Sequence, residues 1–187
     1  MKKVGFFGGT FDPIHIGHLN LAVQILEKKK LDKILFCPAY KSPLKKEMPI
    51  ASGIDRYNMI KLAIKDFENF EVIDNEIVKE KVSYTIDTLN ELKEIFSLNL
   101  IISDDALETF NRWKDFKEIL KIAPLIVGKR NIFKKNDLNL NEKNFVETDI
   151  FEINATNVRK RLKEKKAIKH LLTNDVIDYI LHKKLYI

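Results

Sequence analysis

Two histidines three residues apart, His15 and His18, stand where a short apolar run gives way to a helical pattern. Residues 4–7 have the length and the aromatic and β-branched content of a buried strand. Gly8 and Gly9 are expected to end that strand in a turn that lets the backbone approach a ligand. Asp12-Pro13 sets a second bend, since proline presets its own φ and biases the preceding residue away from helix. From Gly17 the period changes: Leu19, Ala22, Val23 and Leu26 fall at i, i+3, i+4 and i+7, one face of an amphipathic helix. The first N–H groups of a helix lack partners within it, and the dipole leaves partial positive charge there. Two histidines facing that volume each donate a hydrogen bond and gain charge readily near neutral pH. This is chemistry for a phosphate. Surface histidines at an ordinary turn would leave the glycine pair, Asp12-Pro13 and the change of period unexplained.

A second helix start offers related chemistry. Ile153-Asn154-Ala155-Thr156-Asn157-Val158-Arg159 opens a helix with a hydroxyl and then an arginine, and guanidinium meets phosphate oxygens bidentately. The bland alternative is a threonine cap with a surface arginine. Trp113 is the one tryptophan, predicted in a loop beside a helix, where residue type by itself favours packing into the core. Asp105 follows the apolar strand 98–102, at the strand end where open α/β sheets bind ligands.

The elements that must position these groups alternate along 187 residues, which predicts an α/β fold with a mostly parallel sheet. Further strands are expected at 33–37, 70–74, 98–102, 124–127 and 145–148, with helices at 55–67, 106–110, 115–121, 158–165 and 175–181. Ser83 is expected to cap a helix running through Ile86, Leu89, Leu92 and Phe96. Residues 38–53, with three prolines and Lys41, Lys45 and Lys46, form a long loop of the kind that is functional or mobile. Residues 128–144, rich in lysine and asparagine, are predicted as another. No repeat or domain-breaking linker is visible. One domain is expected over 1–187, a Rossmann-like core to about residue 150 and phosphate-binding helices from about 151.

Composition narrows the function classes. Apolar residues make up 45% of the chain, enough for a sizeable core, and no apolar run approaches the ~20 residues of a transmembrane helix. The formal net charge is +6, but 33 basic residues stand among 27 acidic ones without aromatic interleaving. Much of the lysine is expected on a solvated surface, and a basic cleft for a nucleotide fits the charge as well as a nucleic-acid surface does. Cys37 is the one cysteine, which excludes an internal disulfide and points to a reducing cytoplasm.

There is no G-x-x-x-x-G-K-[ST] and no G-x-G-x-x-G after the first strand. Instead, G-G-T-F-D-P-I-H-I-G-H resembles the H-x-G-H signature of the nucleotidyltransferase superfamily. Residues 153–159 are similar to its I-S-x-T-x-[IV]-R motif, with Asn154 in place of the usual serine. Ser83-Tyr84-Thr85-Ile86-Asp87-Thr88 resembles the S-Y-T-x-D-T segment of the bacterial nicotinate-nucleotide adenylyltransferases. The stretch D-D-A-L-E-T-F-N-R-W, ending at Trp113, resembles their G-x-D…W block, with Ser103 for glycine and Asp104 as an added acid. Lys45 matches the lysine of their proline-rich loop, Val127-Gly128-Lys129-Arg130 their next strand and turn, and V-I-D-Y-I…L-Y their final segment.

That resemblance implies a doubly wound Rossmann-like fold and adenylyl transfer from ATP to nicotinate mononucleotide, with Mg²⁺ carried on the ATP phosphates and no protein metal ligand. It implies His15, His18, Lys45 and Arg159 as catalytic residues. Gly8, Gly9, Thr10, Phe11, His15, His18, Asp105, Thr156 and Arg159 would bind ATP. Tyr84, Thr85 and Trp113 would hold the nicotinate ring and its carboxylate. The chain is expected to act in the cytoplasm as a monomer or small homo-oligomer, with no nucleic-acid or membrane partner. The alternatives are another acceptor within the superfamily, such as phosphopantetheine or a cytidylyl acceptor, and a non-catalytic nucleotide- or RNA-binding relative.

Overall fold

The apolar runs become strands because they find apolar cover on both faces of one sheet. The computed structural model describes residues 1–129, 138, 140–149 and 153–187. In chain order they build β1 (Lys3–Gly9), α1 (Ile16–Lys29), β2 (Lys33–Pro38), α2 (Gly53–Ala63), β3 (Phe70–Val72), α3 (Thr85–Leu92), β4 (Ser97–Ser103), α4 (Asp104–Leu107), α5 (Phe116–Ile122), β5 (Leu125–Lys129), β6 (Phe145–Glu147), α6 (Ala155–Lys163) and α7 (Asn174–Lys183). Short 3₁₀ turns at Phe110–Arg112 and Glu142–Asn144 precede α5 and β6. Among the described residues six strands form a sheet in the order β3-β2-β1-β4-β5-β6, and all five ladders are parallel. This is the Rossmann-like, doubly wound architecture.

Strand side chains alternate between the two faces. Val4 and Phe6 of β1, Leu35 and Cys37 of β2, and Leu98, Leu100 and Ile102 of β4 pack with Ile86 and Leu89 of α3 and with Phe110 and Ile119. Phe7, Ile34, Phe36 and Ile101 point the other way, into a cluster with α1, α2, α6 and α7. Each fully buried Phe, Leu or Ile contributes roughly 1.5–3 kcal/mol of apolar transfer. No described helix is long and apolar enough to cross a membrane.

Several boundaries differ from the sequence reading. Gly8 and Gly9 do not end the first strand. They extend it, opposite Cys37 and Pro38 of β2, and no glycine has a positive φ. The turn is made by Thr10 to Pro13, with Phe11 at φ 47° and a cis Asp12-Pro13 bond. Gly9 is needed for a different reason: a Cβ there would meet the Phe11 ring at 2.9 Å. The α1 stripe is broader than the four-residue pattern, because Leu21 and Ile25 are buried along with Leu19 and Ala22. Ser83 does not cap α3. Tyr84 holds that position, while the Ser83 hydroxyl accepts the Tyr40 N–H at 2.9 Å. The helix also stops at Leu92, short of Phe96. Of the predicted loop 128–144, Gly128 and Lys129 belong to β5, and residues 130–137 and 139 lie outside the described residues.

At the sheet centre Gly5 leaves no space. A Cβ built there would sit 2.5 Å from Ile101 Cδ1, 2.8 Å from Ile34 Cδ1 and 2.9 Å from Leu31 Cδ1. Gly5→Ala should cost about 1–3 kcal/mol through overpacking. Urea unfolding of parent and variant checks this, and equal midpoints would show that the three side chains yield freely.

Candidate active site

Strands β1 and β4 are neighbours, yet their following helices cover opposite faces of the sheet, so a crevice opens beyond their carboxyl ends. Into it come the Thr10–Pro13 turn, the first turn of α1 and, from β4, Ser103 to Asp105.

His15 is the N-cap residue of α1, with extended backbone at φ −144°. Its N–H donates to Nδ1 of His18 at 3.2 Å. An accepting Nδ1 places the proton of the neutral His18 ring on Nε2, an assignment made from that hydrogen bond. The two imidazoles stack with centroids 3.6 Å apart and planes 20° apart. Phe11 lies edge-on to His18 at 5.0 Å. His15 is buried and His18 half-buried, so packing holds both rings at the helix start.

Asp12 organises the next shell. Its carboxylate is 6% exposed and accepts the Ile50 N–H on Oδ2 at 2.9 Å and the Ala51 N–H on Oδ1 at 3.1 Å. Oδ1 also accepts the Tyr186 hydroxyl at 2.6 Å. Arg159 Nη1 donates to the Asp12 carbonyl at 2.6 Å and lies 3.9 Å from Oδ2, while Nη2 donates to Thr156 Oγ1 at 3.3 Å. Arg56, buried at 1% exposure, donates to the carbonyls of Thr10 (2.8 Å), Ala39 (2.6 Å) and Ala51 (3.2 Å), tying both ends of the 38–53 loop to the turn. From that loop Lys45 Nζ donates to Thr10 Oγ1 at 3.1 Å.

Three cations thus stand around one carboxylate. Burial and then the neighbouring Arg159 pull the Lys45 ammonium below the usual lysine range. Burial lowers the Arg56 guanidinium as well, with Asp12 working against it. The Tyr186 phenol is pushed far above its usual range by burial and then by its bond to Asp12. Such a cluster is suited to a polyanion, which relieves the repulsion among the cations.

A second group lies on the other face. Tyr84 precedes α3 and Thr85 opens it. Lys114 Nζ lies 4.7 Å from the Tyr84 ring centroid and 3.1 Å from Asp87 Oδ1, which places Trp113 next to the same region. The indole packs on Phe110, centroids 5.2 Å apart, and its buried N–H finds no acceptor among the described residues. Beneath this region the buried Glu76 accepts the Thr88 hydroxyl at 3.0 Å. Burial raises its carboxyl above the usual range, against the hydrogen bonds of Thr88 and Ser83.

The structure therefore gathers Thr10, His15, His18, Lys45, Thr156 and Arg159 at one place and Tyr84, Thr85 and Trp113 at another. Gly8 and Gly9 are half-buried residues at the end of β1, whereas the Phe11 ring is core. Asp105 is exposed in the first turn of α4, with no hydrogen bond to either group among the described residues; its N–H meets Asp104 Oδ1 at 3.1 Å. Ser103 takes φ −86°, which needs no glycine. Asn154, rather than Thr156, caps α6, its Oδ1 accepting the Asn157 N–H at 2.8 Å. Arg130 lies outside the described residues. Sequence reasoning missed Arg56, Glu76 and Tyr186. The first two carry no motif, and Tyr186 showed itself only as part of the closing L-Y pair.

A strand–turn–helix with paired histidines, joined to a helix-borne arginine, defines a nucleotidyl-transfer class of site. Residues 6–177 match the cytidylyltransferase-like family. The chain belongs to that family and, within it, to the nicotinate-nucleotide adenylyltransferases. The protein of that name from Methylacidiphilum infernorum is 39% identical over 193 residues, covering 99% of this chain and 92% of its own length. That from Clostridium perfringens strain 13 is 39% identical over 199 residues, covering 100% and 98%. In fold, the chain is similar to the Plasmodium falciparum nicotinic acid mononucleotide adenylyltransferase complexed with APC. The TM-score is 0.78 at 19% identity, covering 100% of this chain and 98% of that one.

Glu76 makes the site's support pH-dependent. Its folded pKa is raised above the ordinary value of 4.5, so the folded state keeps the proton longer than the unfolded one. Stability drawn from the neutral form is complete below the unfolded value and lost as pH rises through the folded one. Glu76→Gln retains an oxygen for Thr88. Its melting temperature should gain on the parent's as pH rises above the carboxyl's ordinary value of 4.5. A pH-independent difference would contradict the assignment.

Proposed function

We propose that this chain transfers the adenylyl group of ATP to nicotinate mononucleotide, releasing pyrophosphate and forming deamido-NAD for NAD biosynthesis. Support comes from relatives of that name over nearly the whole chain. The observation that carries the chemistry is the stacked His15–His18 pair at the α1 start, beside Lys45 on Thr10 and Arg159 on Asp12.

An oxygen of the mononucleotide phosphate attacks the α-phosphorus of ATP, and the bond from that phosphorus to the bridging oxygen of pyrophosphate breaks. The attacking phosphate is already ionised, so neither a general base nor a covalent nucleophile is needed. What remains is positioning and charge stabilisation. His18 and His15 donate to the transferring phosphate at the positive end of α1. Lys45 and Arg159 hold the β- and γ-phosphates, with Thr156 and Thr10 as their hydroxyl partners. Gly8, Gly9 and the backbone of Phe11 form the floor beneath the nucleotide, and Asp105 borders its ribose or adenine. Tyr84 and Thr85 take the nicotinate carboxylate, and Trp113 the ring.

Mg²⁺ enters this reading as part of the ATP substrate, where it would offset the charge of the phosphates. We assign the enzyme to the cytoplasm, on a chain whose one cysteine, Cys37, is buried and outside any disulfide.

Pyrophosphate release with ATP and Mg²⁺ tests the assignment, with nicotinate mononucleotide, its amide and phosphopantetheine offered in parallel. Turnover with the acid is expected. Equal turnover with the amide would remove the carboxylate pocket from the reading, and turnover with phosphopantetheine alone would overturn it. His18→Ala should lower kcat by roughly 10²–10³, the cost of losing one transition-state donor. An unchanged kcat would exclude His18 from the chemistry.

A further inference from the structure

Tyr186 is bound into the phosphate end of the site although no step of the transfer uses it. After α7 the chain reverses: Lys184 takes φ 53°, and the Leu185 N–H bonds back to the Ile180 carbonyl at 2.9 Å. Tyr186 then takes φ 63°. A bulky aromatic residue rarely adopts left-handed backbone, and it keeps that conformation only where its surroundings over-determine it. Here the determinants are the ring, packed against the core cluster beneath α1 and α7, and the hydroxyl, 2.6 Å from Asp12 Oδ1.

The arm that delivers Tyr186 is itself tied down. Tyr179 of α7 donates to Asp55 Oδ1 at 2.9 Å, and Lys65 pairs with Asp175 at 2.8 Å. Both bonds join α7 to α2 and the residues just after it, and α2 carries Arg56.

Asp12 is where this arm meets the site. Its carboxylate is shared among the Tyr186 hydroxyl, the two N–H groups that close the Lys45 loop, and the Arg159 guanidinium at 3.9 Å. Without the hydroxyl, a buried charged oxygen loses one of its donors, and its other partners must shift to compensate.

We propose that Tyr186 is a positioning residue: through Asp12 it sets the Arg159 guanidinium and the anchored end of the Lys45 loop where the triphosphate is to bind. This rests on the transfer reading above. It assigns preorganisation of the phosphate clamp to a residue far from it in sequence.

Tyr186→Phe removes one oxygen and keeps the ring. Steady-state kinetics should show kcat/KM for ATP falling about tenfold, while KM for nicotinate mononucleotide stays within about twofold. In an Arg159→Ala background the same substitution should lower kcat/KM for ATP distinctly less than in the parent, by about threefold or under, because one of the two groups it positions is gone. Calorimetric binding of ATP to the four proteins should repeat that non-additivity. Unaltered kinetics in Tyr186→Phe, or equal losses in both backgrounds, would overturn the proposal. So would a parallel fall in melting temperature and in the kinetics of both substrates, which would make Tyr186 a stability residue. The binding arm separates this from failure of the transfer reading. A parent that binds ATP but makes no dinucleotide would refute that reading, and the binding cycle would still decide the role of Tyr186.

Discussion

The structure depends on how one buried carboxylate is satisfied. A carboxylate taken out of water is expensive unless donors and countercharge surround it, and removing one partner of such a group typically costs about 3–5 kcal/mol. Asp12 meets that demand with groups remote from one another in sequence: the N–H groups of Ile50 and Ala51, the hydroxyl of Tyr186 and the guanidinium of Arg159. Satisfying it draws the first turn, the loop end, α6 and the last residues together. The same contacts bring Lys45 and Arg159 to the helix start that carries the histidines.

The sheet supplies the frame for that convergence. Because β1 sits between β2 and β4 with apolar cover on both faces, its carboxyl end is fixed, and the turn that follows has one place to go. Arg56 extends this order outward. Buried and fully charged, it is neutralised in part by Asp12 and otherwise bonded to backbone carbonyls at both ends of the 38–53 loop. The loop can therefore carry exposed Leu44 and Met48 at its surface while Lys45 is held against Thr10. Rigid ends around a polar clamp are what preorganised charge stabilisation requires.

The group around Tyr84 and Trp113 is built differently. Tyr84 and Thr85 come from the start of α3, Lys114 and Trp113 from the turn before α5, and they meet because α3 and α5 pack on the same face of β4. Glu76, Thr88 and Ser83 brace that region from beneath by hydrogen bonds in a poorly solvated space. This support is polar where the framework around it is apolar, which makes it sensitive to pH.

By itself the sequence determined whatever is encoded by neighbours along the chain. The strand β1, the helix α1, the histidine pair at its start and the Thr156–Arg159 turn are legible because strand and helix periods and helix-start chemistry are local. The motifs carried the family for the same reason. Tertiary structure alone decided where pairing or burial overrides local preference. Gly8 and Gly9 are strand rather than turn because β2 offers them partners. Ser83 serves the Tyr40 backbone instead of capping α3, since that N–H lies within reach only once loop 38–53 is folded. Arg56 and Tyr186 look unremarkable among the chain's many arginines, lysines and tyrosines. Their roles arise from a buried Asp12 whose donors lie up to 174 residues away, a separation over which no local pattern carries information.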